Sequence, residues 1–310
     1  MILIALLCCA LWGSATPAIK IGYRLLEVSG VASIMLFAGM RFFLAGVLTV
    51  IIFSAAERRV LVPKKENIPK ILTVSLFQTV VQYIFFYLGL AYTSGVKGTV
   101  ASGSGAFFSV LIASLIFRQE KLTVKKISAC VIGFAGIIVM NFEGLFAAGG
   151  ALDLMGVGFV LLSAISSSFS SVLTKKYSAY ESPVVISGYQ FMVGGIFMAI
   201  VGLSFGGRVN MADFGGVLDL VYLAFLSAIA YSLWGLLLKH NPISRVTVFN
   251  FTTPVFGVLL TLLFLPDEPS NVTLPSLVVT LVLICGGILL LNYKKPEKKP
   301  LEKEFSAEDD

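Results

Sequence analysis

Histidine is nearly absent from this sequence; the single one, His240, falls in a predicted loop. The four cysteines, Cys8, Cys9, Cys130 and Cys285, all sit inside apolar runs and none has C-x-x-C spacing. No His/Cys metal set can therefore be assembled, and the cysteines read as small apolar packing residues. Charge is scarce too: Asp, Glu, Lys and Arg make up 13% of the chain, where soluble domains carry about 25%. No glycine loop ends in GK[ST], which excludes ATP-driven work within this chain. No histidine stands where it would activate a membrane-embedded nucleophile, so neither enzyme chemistry nor a cofactor is expected. None of the 17 acidic residues lies near the middle of an apolar run, and an intramembrane acid is the usual proton relay.

What the sequence has in abundance is apolar length. It is 57% hydrophobic, and its mean hydropathy is +0.93. A bilayer core needs about 20 apolar residues per helix. Ten runs qualify, at 2–20, 31–55, 71–92, 97–117, 124–141, 154–174, 184–204, 216–238, 246–265 and 274–292. The first has no basic residue before it, so it reads as a helix rather than a signal peptide. The tail after Asn292 is rich in Lys, Glu and Pro and reads as disordered. Asn271-Val272-Thr273 forms a short glycosylation sequon.

The net charge of +6 reflects orientation rather than nucleic-acid binding, because the cations flank apolar runs. Eighteen lie after even-numbered runs or in the tail, and four (Lys20, Arg24, Lys97 and Arg208) after odd-numbered ones. That bias places both termini in the cytoplasm.

The two halves repeat one another. Arg41-Phe-Phe-Leu-Ala-Gly46 matches Gln190-Phe-Met-Val-Gly-Gly195, and Tyr83-x-x-Phe86 matches Tyr231-x-x-Trp234. Phe108 and Glu120 match Phe256 and Glu268, and Asn141 matches Asn292. Five runs per half, an odd number, require opposite orientations. The expected fold is thus an all-α integral membrane protein with ten transmembrane helices in two inverted five-helix repeats. The expected units are residues 1–145 and 146–293, with a charged cytoplasmic tail at 294–310. Such repeats commonly place a transporter's substrate site where the halves meet.

Helix faces supply the candidate lining. At about 100° per residue, Ser163, Ser166, Ser167, Ser170 and Thr174 share a side of the sixth run. Gln78 and Gln82 align with Ser75 in the third, Tyr231 and Trp234 with Ser227 in the eighth, and Asn250 and Thr253 with Thr247 and Pro254 in the ninth. Trp12 aligns with Thr16 in the first. Hydroxyls, amides and aromatics of this kind suit a cavity for a small amphipathic solute. Small polar residues serve equally well as close helix contacts. Arg41 lies ten residues into its run; it either attracts a substrate carboxylate or ties down backbone carbonyls. Glu120, beside Arg118 and Lys121, reads as an interfacial ion-pair residue.

This pattern resembles the EamA-type members of the drug/metabolite transporter superfamily over roughly residues 2–292. The likeness rests on Leu11-Trp12-Gly13, Met40-Arg41-Phe42-Phe43-Leu44-Ala45, Ala91-Tyr92-Thr93-Ser94, Arg118-Gln119-Glu120-Lys121-Leu122-Thr123 and Thr253-Pro254-Val255-Phe256. It departs from the family at Ala106, where a proline is usual, while Pro254 is retained. The resemblance implies a 5+5 helix fold with a central cavity in a cell's inner (plasma) membrane, and export or exchange of amino acids or similar metabolites. A nucleotide-sugar or phosphorylated-metabolite carrier is the alternative within the superfamily; a non-transporting membrane enzyme or receptor is the alternative outside it. The partners expected are the bilayer and a small metabolite, with the chain acting as monomer or homodimer.

Overall fold

The computed structural model describes residues 1–93, 98, 101–140, 142, 151–265 and 273–292. The tail at 294–310, Asn141, Glu268 and the Asn271 sequon lie outside the described residues.

Among the described residues every regular element is helical. In hydrocarbon no water satisfies backbone polar groups, and a helix pairs its own. α1 spans Ile2–Leu25 and α2 Gly30–Glu57. α3 runs through Ile68–Ser75, a π-helical stretch at Leu76–Val81, and Gln82–Tyr92. α4 spans Ala101–Ile116, interrupted by a turn at Ser104 and ending in π-helix over Ile112–Ile116. α5 is Val124–Met140, α6 Ala151–Tyr177, α7 Pro183–Ser204 and α8 Phe214–His240. α9 covers Ile243–Phe264, with a 3-10 stretch at Val248–Thr252 immediately before Thr253 and Pro254, and α10 is Leu274–Asn292. Eight of these helices are long and apolar enough to cross a membrane; α4 and α5 are shorter.

Several boundaries differ from those read off hydropathy. Lys20 and Arg24 belong to the last turns of α1, and His240 is the last residue of α8. Long basic side chains extend a helix past its apolar stretch because their stems stay in apolar surroundings while the charged heads reach water. Ala106 leaves α4 without the family's proline, yet the helix is still distorted. The Ser104 hydroxyl donates to the Ala101 carbonyl at 2.5 Å, beside the turn.

The principal packing pairs are α2 on α7, α5 on α10, α1 on α8, α3 on α6, α1 on α9, α4 on α6, α2 on α8 and α3 on α7. Exchanging the first five helices for the last five returns the same set. The closest seam is α2 on α7, where a Cβ on Gly195 would come within 2.8 Å of the Gly39 carbonyl oxygen and 2.9 Å of the Phe43 Cα. Only glycine allows this approach, which is how membrane helices gain contact without a hydrophobic driving force. Cys8, Cys9 and Cys130 are buried, and the Cys9 thiol donates to the Phe249 carbonyl at 3.2 Å, in the 3-10 stretch. Leu263, Phe264, Val282 and Leu289 on α9 and α10 are exposed, as side chains facing lipid are.

Candidate functional site

A cavity of about 650 Å³ runs between the helices. Its size suits a small organic solute. Trp12, Thr16, Arg41, Gln78, Gln82, Ser163, Ser167, Ser170, Tyr231, Trp234, Asn250 and Thr253 all stand on its wall. They come from α1, α2, α3, α6, α8 and α9, so the site exists only when both halves of the chain are packed together. Ser166 shares the serine face of α6 but turns away, donating to the Phe77 carbonyl at 2.7 Å. Ser168 lines the cavity yet also donates to the Ala164 and Gly105 carbonyls. Both roles weighed for these serines thus occur, divided residue by residue.

An aromatic cluster forms one wall. Trp12 meets Tyr231 edge-on at 5.1 Å and Trp234 at 4.9 Å between ring centroids. Tyr231 meets Phe191 at 4.8 Å and exchanges a hydrogen bond of 3.2 Å with the Tyr83 hydroxyl. Edge-to-face pairs hold rings in fixed orientations, with the edge of one ring set against the face of its neighbour. Tyr83, Phe86, Tyr87, Tyr23 and Lys20 also line the cavity. The sequence singled out none of them for the site, although the match of Tyr83 to Tyr231 was a usable signal.

Polar atoms on this wall lack partners. Trp12 Nε1, Gln82 Oε1, Asn250 Oδ1 and Thr253 Oγ1 are buried without a hydrogen bond. Buried polar groups are normally satisfied, and each orphan costs free energy. Ser114, Gln119, Gln190, Asp219 and Ser232, away from the wall, carry unpartnered atoms as well.

The lining reaches Lys20, Tyr23 and Gly30 near the α1–α2 turn, and Thr174 and Leu238 at the other end. Beyond Thr174 and Leu238 the helices are cross-tied. Lys175 Nζ donates to the Asn241 carbonyl. Glu120, after α4, accepts from the Ser244 backbone N–H at 3.3 Å, the Ser244 hydroxyl at 2.6 Å and Lys126 Nζ at 2.7 Å. Its ion-pair partner is therefore Lys126 rather than its sequence neighbours Arg118 or Lys121, and it also caps the first turn of α9. Burial opposes its charge, but Lys126 and Ser244 outweigh it and hold Glu120 below the ordinary carboxylate range. Glu181, between α6 and α7, joins the same end by accepting from Asn67 Nδ2 at 3.1 Å and the Lys64 N–H at 3.0 Å.

The model of the EamA-like transporter family matches residues 1–142 and again 154–293. An uncharacterized transporter of Archaeoglobus fulgidus is 28% identical over 254 residues, covering 80% of this chain and 84% of the relative. A WAT1-related chloroplastic protein of Arabidopsis thaliana is 26% identical over 293 residues, covering 91% and 67%. The uncharacterized transporter YvbV of Bacillus subtilis is 27% identical over 270 residues, covering 86% and 84%. A crystal structure of a protein 18% identical shares the fold with a TM-score of 0.75, over 93% of this chain and 96% of that one. A multi-pass helical bundle enclosing a solute-sized cavity, matched in both halves, belongs to the EamA-like transporters of the drug/metabolite transporter superfamily, and is a transporter rather than an enzyme.

Proposed function

We propose that this chain is a secondary transporter that exports or exchanges small organic metabolites by alternating access, with amino acids and related amphipathic solutes as the leading class. The observation that carries the reading is the cavity of about 650 Å³, walled by aromatics and by amide and hydroxyl side chains from both halves. An apolar side chain of the solute stacks on Trp12, Tyr231 and Trp234. Its polar end meets the amides and hydroxyls that line the cavity, from Gln78, Gln82, Asn250 and Thr253 together with Thr16, Ser163, Ser167 and Ser170. The ties at Glu120 and Lys175 close the lysine-rich end, and the cavity reaches toward the α1–α2 turn.

Ten membrane crossings in two inverted repeats, residues 1–145 and 146–293, complete the reading. The family model matching twice and the exchange symmetry of the packing pairs support it. With both termini cytoplasmic, the lysine-rich end faces the cytoplasm of a cell bounded by this plasma membrane. A monomer, alone or paired as a homodimer, holds a complete cavity. The cations on the wall are Lys20 and Arg41, a poorer match for a diphosphate than for one carboxylate, which ranks nucleotide-sugar carriage lower.

Counterflow in proteoliposomes tests the proposal. The purified full chain, loaded with mixed amino acids and small metabolites and with no ion gradient, is expected to accumulate at least one labelled amino acid. No counterflow for any solute by folded, inserted protein refutes the exchanger. Uphill transport on a pH gradient alone refutes gradient-independent exchange.

A further inference from the structure

We propose that Arg41 is the carboxylate-recognising residue of the cavity, so that the carrier selects solutes bearing a carboxylate over the matching amides and amines. This rests on the transporter reading and assigns the charge of its substrate.

Arg41 is 4% exposed and lies within α2, inside the bundle. A cation at such depth is costly unless it faces protein partners or a polar cavity. Its hydrogen-bond partner is one hydroxyl, with Nε at 3.3 Å and Nη2 at 2.9 Å from Ser227 Oγ, which itself donates to the Leu223 carbonyl; its guanidinium carbon also lies 5.1 Å from the Phe42 ring centroid, and it acts on the Asp219 carboxylate through charge alone. Among the described residues no carboxylate forms an ion pair with it. Asp219, about two helical turns along α8 from Ser227, lies against Gly22 of α1, and its Oδ2 has no hydrogen-bond partner. A guanidinium has five N–H donors in a planar fork. Those not spent on Ser227 belong to a side chain that lines the cavity.

The other half of the molecule separates a structural role from a recognition role. The sequence match pairs Arg41 with Gln190, and Ser227 with Thr79, each lying four residues before the matched Tyr231 and Tyr83. The structure repeats the contact: Thr79 Oγ1 donates to Gln190 Oε1 at 2.7 Å, tying α3 to α7 as Ser227 and Arg41 tie α8 to α2. Gln190 is fully buried and is not on the cavity wall. A neutral amide thus suffices for the tie. The charge at Arg41 exceeds what the tie needs, and it stands where a solute passes. A planar guanidinium matches a carboxylate in geometry as well as charge.

The tryptophans give a direct readout, since the chain has two, Trp12 and Trp234, and both line the cavity. Tryptophan fluorescence of the detergent-purified full chain would be titrated with leucine, leucinamide and isoamylamine, then with phenylalanine, phenylalaninamide and phenethylamine. Counterflow of the same solutes would run in parallel. The amino acids are expected to respond at concentrations at least about tenfold below their amides and amines. Arg41→Gln reproduces the tie seen at Gln190, so it is expected to melt near the wild type and to lose that preference, while Arg41→Lys keeps part of it. Amides or amines acting as well as the acids in the wild type overturn the proposal, even if transport is observed. So does a folded Arg41→Gln that retains the preference, or a wild type that responds to no carboxylate in the panel. If Arg41→Gln fails to fold, the acid-to-amide comparison in the wild type decides. Fluorescence selectivity without counterflow refutes the carrier reading and leaves Arg41 as the carboxylate site.

Discussion

The seam between α2 and α7 and the cavity wall use polar and small residues for opposite ends. At the seam, Gly39, Gly46, Gly195 and Gly202 bring backbones together, so a Cβ would strike the neighbouring main chain. At the adjoining α3–α7 contact Ser75 donates to the Gln190 carbonyl and Thr79 to its side-chain oxygen, both at 2.7 Å, while Gln190 Nε2 has no partner. On the cavity wall, rings standing edge-on alternate with serines, glycines and amides around an open space. Close packing holds the halves in one relation, whereas the cavity wall leaves room for a solute. Serine, threonine and glutamine occur in both regions, so residue type alone does not tell the roles apart.

Substitutions can break this contrast, and their effects on stability should fall in a definite order. Gly195→Leu should do the most damage. Its Cβ meets the α2 backbone rather than a movable side-chain end, so the cost should reach or exceed the roughly 1–3 kcal/mol of ordinary overpacking. Loss of the monodisperse peak in fluorescence-detected size exclusion would show it, and a normal peak with normal melting would contradict the seam's role. Glu120→Ala comes next. It strands Lys126 and two donors of Ser244, and breaking a buried pair costs about 3–5 kcal/mol; the value here should sit at the low end because Lys126 is partly exposed. Cysteine labelling from each face of the liposome would report whether the lysine-rich end opens, and unchanged labelling would show that this tie does not close it.

The same carboxylate sets an acid limit. Its folded-state pKa lies below the ordinary 4.5, so its contribution to stability is complete above the unfolded value and is lost as pH falls through the lowered one. Glu120→Gln should therefore show a shallower fall of Tm between about pH 5 and 3 than the wild type. Part of the fall should persist, because Glu181 is also held low by its backbone and Asn67 donors despite the opposing effect of burial. An identical acid limb in the variant would mean the Glu120 tie contributes nothing.

Smaller effects sharpen the contrast from the cavity side. Tyr231→Phe removes one shared hydroxyl contact with Tyr83 and should cost about 0.5–1.5 kcal/mol by thermal denaturation. Gln82→Met deletes an orphaned acceptor; its Tm should stay level or rise while counterflow falls about tenfold or more. A drop in Tm with transport intact would place Gln82 with the seam residues instead.

Much of this was legible from the chain. Eleven lining residues follow from 3.6-residue periodicity, because a helix carries its faces with it whatever it packs against, and Arg41 follows from its depth in an apolar run. For Ser166 the sequence left lining and packing open, because its partner, the Phe77 carbonyl, is 89 residues away. Lys126 was missed as the partner of Glu120, since sequence proximity favoured Arg118 and Lys121 over a residue one turn farther on. Tyr83 and Tyr87 continue the four-residue row of Ser75 and Thr79, a face passed over in favour of the one carrying Gln78 and Gln82.

Apolar length by itself determined that this is a multi-pass helical membrane protein. It does so because transfer into hydrocarbon is a local property, summed over about 20 residues at a time. Only the tertiary structure decided which serines face the cavity, that Glu120 ties α4 to α9, and that Arg41 has one hydroxyl for a partner where Gln190 has another. Those outcomes depend on residues from 60 to more than 180 positions apart. Their approach is set by how the helices pack, which no single segment specifies.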